Sequence, residues 1–297
     1  MPRISPYHRA TNTIKDRIAK ATAGLTPSYR RLADYVLAHS FRAATMTIDE
    51  LAEAASVSTA TVNRFAHKLG FSGFPAFRAE LVHGFESALA PVERLRDELT
   101  RETGCADVMA ASLADTAANL ETLRASLPAE VCEQIVTTIL GARRVLAAGF
   151  GTSGYLAGML AHGLELHCNH VQSLAGVGGP SHGARTLFQL NGMDVVIAIS
   201  FPRYVKDAMV IASKAKERGA RVIVLTDAPT SPLAPLGDLT LYLPAPSRFN
   251  ASSDATVHAL IEALCAAVAR RAKNSINSVS AMTEVVLPWL HREASLG

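Results

Sequence analysis

The sequence predicts two domains of different class: an all-helical one in front, and behind it an α/β one built on a five-stranded parallel sheet. Three observations predict this. The chain has 297 residues, 49% of them apolar and 19% charged, which is long for one domain, ample for a core and too apolar for wholesale disorder. Up to about residue 140 the apolar residues recur only at three-to-four spacing, the period of helices. From residue 143 the texture changes to five short apolar runs, RVLAAGF, HVQSL, DVVIAIS, RVIVLTD and DLTLYLP, separated by helical stretches. Strands that are apolar throughout and alternate with helices imply a parallel sheet covered on both faces.

Residues 1–25 read as polar and irregular. Thr26-Pro27 opens a first helix, since Thr caps well and Pro suits the first turn; Leu32, Tyr35, Val36 and His39 follow on one face. Thr47 and Glu50 make a capping box for a second helix carrying Ile48, Leu51, Ala52 and Ala55. A three-residue turn, Ser56-Val57-Ser58, leads to a third helix that ends at Leu69-Gly70, and a fourth covers about Pro75 to Phe85. We place a helical front domain at 1–88, a helical linker at 89–129 and the α/β domain at 130–297. In the α/β part the helices are expected at about 152–166, 181–190, 205–218 and 254–273, with a last one from Asn274 to Pro288-Trp289.

The four cysteines, Cys105, Cys132, Cys168 and Cys265, show neither metal-ligand nor redox-pair spacing, so no metal or disulfide is expected and a reducing cytoplasm is the simplest compartment. The opening MPRISPYHRA has no apolar h-region, and no apolar run approaches the roughly 20 residues that span a bilayer, so no membrane partner is expected. Charge is uneven: 11 Lys/Arg stand against 7 Asp/Glu in residues 1–90, and 18 against 19 in the remainder. A basic front third suits an anionic partner.

The second and third helices, joined by a short turn, form a helix-turn-helix. Val62, Phe65, Ala66 and Leu69 give the third helix its apolar side, and its other side is polar and basic. Helices placed this way enter the DNA major groove N-terminal end first. Ser58 caps the helix. Thr59, Thr61 and Asn63 are short groups for base edges or phosphates, and Arg64 and Lys68 reach guanine edges or phosphates. The stretch resembles the N-terminal domain of the RpiR family of bacterial transcriptional regulators through Ile48, Leu51-Ala52, Val57-Ser58, Thr61-Val62, Arg64-Phe65, Leu69-Gly70-Phe71, Gly73-Phe74 and Phe77-Arg78. The resemblance implies a double-stranded DNA operator as partner and a homodimer or homotetramer. In a dimer the two recognition helices would stand about 34 Å apart to reach successive major grooves.

In the second domain, Gly149-Phe150-Gly151-Thr152-Ser153-Gly154 joins a strand to a helix. Glycines let the backbone approach a ligand, and a helix N-terminus favours an anion. The spacing satisfies G-x-G-x-x-G, but HVQSLAGVGG supplies no acidic residue for a ribose at the end of the second strand, so a nicotinamide cofactor is disfavoured. Thr152, Ser153 and, after the third strand, Ser200 place hydroxyls at the sheet edge where ligands of parallel sheets gather. This half resembles the SIS (sugar isomerase) domain, which the RpiR family carries behind its DNA-binding head. The resemblance implies a sensor of a phosphorylated sugar or related metabolite, with no cofactor.

One loop departs from that family. SIS domains usually read S-x-S-G-x-T after the third strand; here the residues are Ser200-Phe201-Pro202-Arg203-Tyr204-Val205. Two hydroxyls are lost, and a guanidinium and a phenol arrive. The expected ligand is therefore a small anion held by Gly151, Thr152, Ser153, Ser200, Arg203 and Tyr204, with His182 from a neighbouring loop, and a plain hexose phosphate is in doubt. No general acid/base pair stands out among Glu165, His182, His258 and Glu262, so no catalytic residue is assigned. A sugar-phosphate isomerase with an accessory DNA-binding domain and a NAD(H)-sensing repressor remain the alternative readings.

Overall fold

The computed structural model describes residues 14–21, 24–83, 94–95, 97–100, 103–175 and 179–289. The chain divides into two bodies, residues 1–92 and 93–297. The first contains helices α1 (Ile14–Ala21), α2 (Pro27–Ala38), α3 (Ser40–Thr45), α4 (Ile48–Ala54), α5 (Thr59–Lys68) and α6 (Phe74–His83). Ile18, Leu32, Leu51, Val62, Phe65 and Phe77 are almost wholly buried together and fix how the helices cross. The expected caps are present: Thr26 accepts from the Tyr29 N–H, and Thr47 and Glu50 close a reciprocal capping box.

Two short helices correct the sequence reading. Residues 14–21 were expected to be irregular, yet Ile14 and Ile18, one turn apart, bury an apolar pair and dock an otherwise polar helix. At α3 no element was expected. Its buried residues are Ala43 and Ala44, and alanine gives almost no periodic signal while fitting a tight helix contact.

The second body contains α7 (Cys105–Ser126), α8 (Ala129–Gly141), β1 (Arg144–Ala148), α9 (Thr152–Leu164), β2 (Val171–Ser173), α10 (Gly179–Phe188), β3 (Asp194–Ile199), α11 (Lys206–Glu217), β4 (Arg221–Thr226), β5 (Leu239–Tyr242), α12 (Asp254–Arg271) and α13 (Ser275–Val286). The sheet is parallel throughout, in the order β2-β1-β3-β4-β5. Strand side chains alternate between two cores. Val145, Ala147, Val195, Ile197, Ile223 and Leu225 pack with α8, α9 and α12, whereas Leu146, Ala148, Val196, Ala198, Val222 and Val224 pack with α10 and α11. Helix α7 falls in the stretch read as a linker, but it packs within this body. Leu123 joins the core, Asn119 donates to the Pro246 carbonyl at 2.9 Å, and Asp115 pairs with Arg248 at 2.9 Å.

At the N-terminal edge of the sheet, buried Asp194 is bracketed by Arg143 (2.7 Å) and Arg144 (3.0 Å) and accepts the Asn191 N–H. Burial alone would raise its carboxyl pKa, but the hydrogen bonds from the two arginines and Asn191 outweigh it and hold the group well below the usual carboxylate range. Burial pushes the thiols of Cys168 and Cys265 up to about 11, away from the thiolate form. Among the described residues no helix is long and apolar enough to cross a membrane, and no group of His, Cys, Asp and Glu could hold a metal ion.

Candidate functional site

Two surfaces carry the residues singled out from the sequence, one in each body. In the first body, Ser58 is the N-cap of α5. Its Oγ accepts the Thr61 N–H at 3.2 Å and lies 2.9 Å from the Thr61 hydroxyl. Thr59, Arg64 and Lys68 are exposed, as is His67. The apolar side of α5, Val62, Phe65 and Ala66, is buried, so the helix presents its basic side outward.

Asn63 has a second task within the body. Its Oδ1 accepts the Phe74 N–H at 2.9 Å, which satisfies the first amide of α6 that no helical carbonyl could reach. The carboxamide oxygen is thus engaged within the body, while Nδ2 stands 3.5 Å from Nε2 of exposed His67. Arg31, which sequence reasoning missed, reaches from α2 to the Ser56 carbonyl at 3.3 Å and tethers the turn, where Ser56 takes a left-handed backbone, φ +52°. Only the fold brings these residues together, 25 positions apart.

In the second body, the loops after β1 and β3 and the N-terminus of α12 enclose a cleft of about 370 Å³. Gly151, Thr152, Ser153, Ser200 and Arg203 all line it. The first loop is glycine-dependent for two reasons. A Cβ on Gly149 would lie 2.1 Å from the Ser153 carbonyl oxygen, and Gly151 has φ +62° and ψ −135°, a region closed to other residues without strain. This sharp turn starts α9 with a residue that has no side chain to cap it; the Gly154 amide bonds the Gly151 carbonyl at 3.0 Å, and no side chain claims the amides of Thr152 and Ser153 ahead of it. Ser153 and Ser200 are mostly buried, and among the described residues neither hydroxyl has a hydrogen-bond partner.

The third-strand loop adds charge. Arg203 is exposed on the cleft wall and has φ +74°, the left-handed region. That conformation accounts for the glycine of the usual SIS loop at this place. Here an arginine occupies it at a cost of about 1–2 kcal/mol in the backbone. Tyr204 corrects the sequence reading: it does not line the cleft. Its hydroxyl is 2.9 Å from both carboxylate oxygens of Asp227. Burial and then the Asp227 carboxylate push the phenol pKa upward, so the phenol keeps its proton for that bond. The side chain of His182 lies outside the described residues.

Sequence reasoning missed the third wall, Asn250, Ser252 and Asp254. The run Ser252-Ser253-Asp254 carried a readable signal as the cap of α12, where Ser253 accepts the Thr256 N–H, but nothing in the sequence tied it to the β1 loop. Desolvation raises the Asp254 carboxyl pKa. Of the acid/base candidates, His258 and Glu262 stand 3.9 Å apart on α12 and line a separate, largely apolar groove with Tyr155 and Met159. Glu165 lines a third cleft with Cys168 and Arg271.

Comparison with known proteins covers both bodies. Residues 12–88 match the helix-turn-helix domain of the rpiR family, and residues 138–269 match the SIS domain. The HTH-type transcriptional regulator HexR of Pseudomonas aeruginosa is 28% identical over 222 residues, 75% of each chain. YfhH of Escherichia coli, an uncharacterised HTH-type transcriptional regulator, is 28% identical over 257 residues, 82% of this chain and 86% of its own. Among solved structures, the Vibrio vulnificus NanR protein complexed with ManNAc-6P superposes with a TM-score of 0.57 at 20% identity, covering 93% of this chain and 99% of that one. The sugar isomerase domain of an RpiR transcription factor from Sphaerobacter thermophilus superposes with a TM-score of 0.55 at 27% identity, covering 59% of this chain and 96% of that one. With a helix-turn-helix head and a SIS domain matched in that order, the chain belongs to the RpiR family of transcriptional regulators.

Proposed function

We propose that the protein binds an operator through α5 and changes its hold on it when a small anionic metabolite, a phosphorylated sugar or sugar acid, occupies the cleft of the SIS domain. The observation that carries this reading is the cleft itself: the side-chain-uncapped start of α9, the unpartnered hydroxyl residues Ser153 and Ser200, and Arg203 line one space. Amides and hydroxyls suit a phosphate, and the arginine suits a second anionic group through a two-pronged hydrogen bond. The bound sugar phosphate of the NanR complex is in keeping with this. Binding without turnover is the economical reading, because Glu165, His258 and Glu262 line other surfaces.

On the DNA side, Ser58, Thr59 and Thr61 at the head of α5 are proposed to contact the phosphate backbone, and Arg64 and Lys68 to reach phosphates or base edges, in a homo-oligomer whose two heads meet successive major grooves. The ligand acts by binding the DNA-competent and DNA-incompetent arrangements unequally.

The test is calorimetric titration with inorganic phosphate, glucose 6-phosphate and 6-phosphogluconate, joined to a selection from random duplex DNA. Thr152→Ala and Ser153→Ala should weaken every anion, whereas Arg203→Ala should weaken 6-phosphogluconate about tenfold and glucose 6-phosphate little. Arg64→Ala should lower affinity for the selected duplex and flatten its salt dependence. Turnover of either sugar phosphate by the purified protein would instead favour the isomerase reading.

A further inference from the structure

The arginine on the cleft wall sits in a backbone conformation it does not favour, so something must hold it there. The bonds on either side of it are the candidates. The loop from Ser200 to Tyr204 is fastened at both ends to the last residues of β4 and the one that follows. At one end Thr226 Oγ1 is 2.7 Å from the Ser200 carbonyl oxygen and 2.7 Å from Ser231 Oγ, wholly buried. At the other end the Tyr204 hydroxyl is shared between the two carboxylate oxygens of Asp227, both at 2.9 Å. Thr226 Oγ1 also lies 3.2 Å from Asp227 Oδ1, but its single proton serves the nearer Ser200 carbonyl, so the two fastenings are separate bonds made by adjacent residues. Between them stand Phe201, buried, and Pro202, whose fixed φ stiffens the span.

We propose that Tyr204 is a positioning residue. By holding its hydroxyl on Asp227, it keeps Arg203 in left-handed backbone on the cleft wall, and so gives the site a preference for ligands that carry a carboxylate as well as a phosphate. The inference rests on the cleft being an anion site but adds the residue that tunes it. A glycine at position 203 would adopt the same backbone freely and would need no fastening. The chain has exchanged that freedom for a guanidinium, and a phenol–carboxylate bond confines the loop. A charged acceptor makes this one of the stronger kinds of hydrogen bond, and Tyr204 is the loop residue adjacent to Arg203, where a tether has most leverage on its backbone.

The experiment uses the full chain and the variants Tyr204→Phe, Arg203→Ala and both together. Two readouts separate this inference from the reading of the cleft. The first needs no ligand: amide hydrogen exchange followed by mass spectrometry on the peptide covering 200–205. Tyr204→Phe should speed exchange there at least threefold and leave β1, β3 and β4 unchanged. The second is calorimetry with 6-phosphogluconate and glucose 6-phosphate. Tyr204→Phe should weaken the acid about three- to tenfold and the hexose phosphate much less, and in the Arg203→Ala background it should have no further effect on the acid. Additive losses in the double variant, or equal losses for the two ligands, would mean that Tyr204 only packs. Unchanged exchange in the loop would overturn the proposal, whatever the ligand result. Failure of wild-type protein to bind either ligand would remove the anion-site reading and with it the specificity claim, while the exchange result would still decide whether the fastening exists.

Discussion

Two loops at the same edge of the same sheet each contain a residue in left-handed backbone, and they meet that demand in opposite ways. After β1 the residue is Gly151 (φ +62°), and after β3 it is Arg203 (φ +74°). In the first loop the backbone is the functional group: close approach of the chain matters, and no side chain is used at the left-handed position. In the second a side chain is wanted, so the strain is kept and neighbouring bonds hold it. A left-handed position in a ligand loop is therefore a choice between a bare backbone and a charged side chain, and the sequence records the choice as glycine or not glycine.

The comparison can be broken most forcefully at Gly149. Its alanine variant would drive a Cβ to within 2.1 Å of the Ser153 carbonyl oxygen. The start of α9 would have to move, with an expected loss of roughly 3 kcal/mol or more in stability and of measurable anion binding, both read by thermal unfolding with and without 6-phosphogluconate. An intact cleft in Gly149→Ala would show that the loop tolerates movement and that its geometry is not what binds.

A change at the opposite sheet edge should sharpen the contrast by altering stability alone. Asp194 has a depressed carboxyl pKa in the folded chain. Its contribution is therefore present above the unfolded value near 4 and lost as pH falls through the lower, folded one. Below about pH 4, unfolding temperature should fall more steeply in wild type than in Asp194→Asn. At pH 7 the variant should be less stable by about 2–4 kcal/mol yet bind 6-phosphogluconate unchanged.

The finest test exchanges the two solutions. Gly151→Ala meets no atom within 4 Å, so its expected cost is backbone strain alone, about 1–3 kcal/mol. Arg203→Gly should do the reverse. Relief of strain is offset by the greater freedom of glycine in the unfolded chain, leaving stability within about 1 kcal/mol of wild type while carboxylate preference is lost. A marked destabilisation by Arg203→Gly would show that the guanidinium itself holds the loop.

Much of this molecule was legible before any coordinates. The alternation of apolar runs and helical stretches announced the parallel sheet, and Thr47–Glu50 and Ser58 announced the ends of α4 and α5. What escaped did so for particular reasons. Ala43 and Ala44 are too small to mark a helix by periodicity, and α1 has only Ile14 and Ile18 to announce it. Asn63 looked free because its partner, the Phe74 amide, lies 11 residues on. Tyr204 looked like a ligand contact because a loop residue beside a cleft has no preferred direction in sequence, and Asp227 claimed it from the next strand.

The elements, their caps and the kinds of group available at each turn follow from the order of residues alone, because they depend on residues within a few positions of one another. The same order leaves over a positive and polar helix face in the front third. Folding settled the rest: which loops share a cleft, that Asn250, Ser252 and Asp254 close its far side, and that Arg203 lines the cleft while Tyr204 is held by Asp227. Those facts depend on the order β2-β1-β3-β4-β5, which sets β1 beside β3 and β3 beside β4. The free energy of burying both faces of the sheet selects that order over the whole chain at once, and no short window of residues contains it.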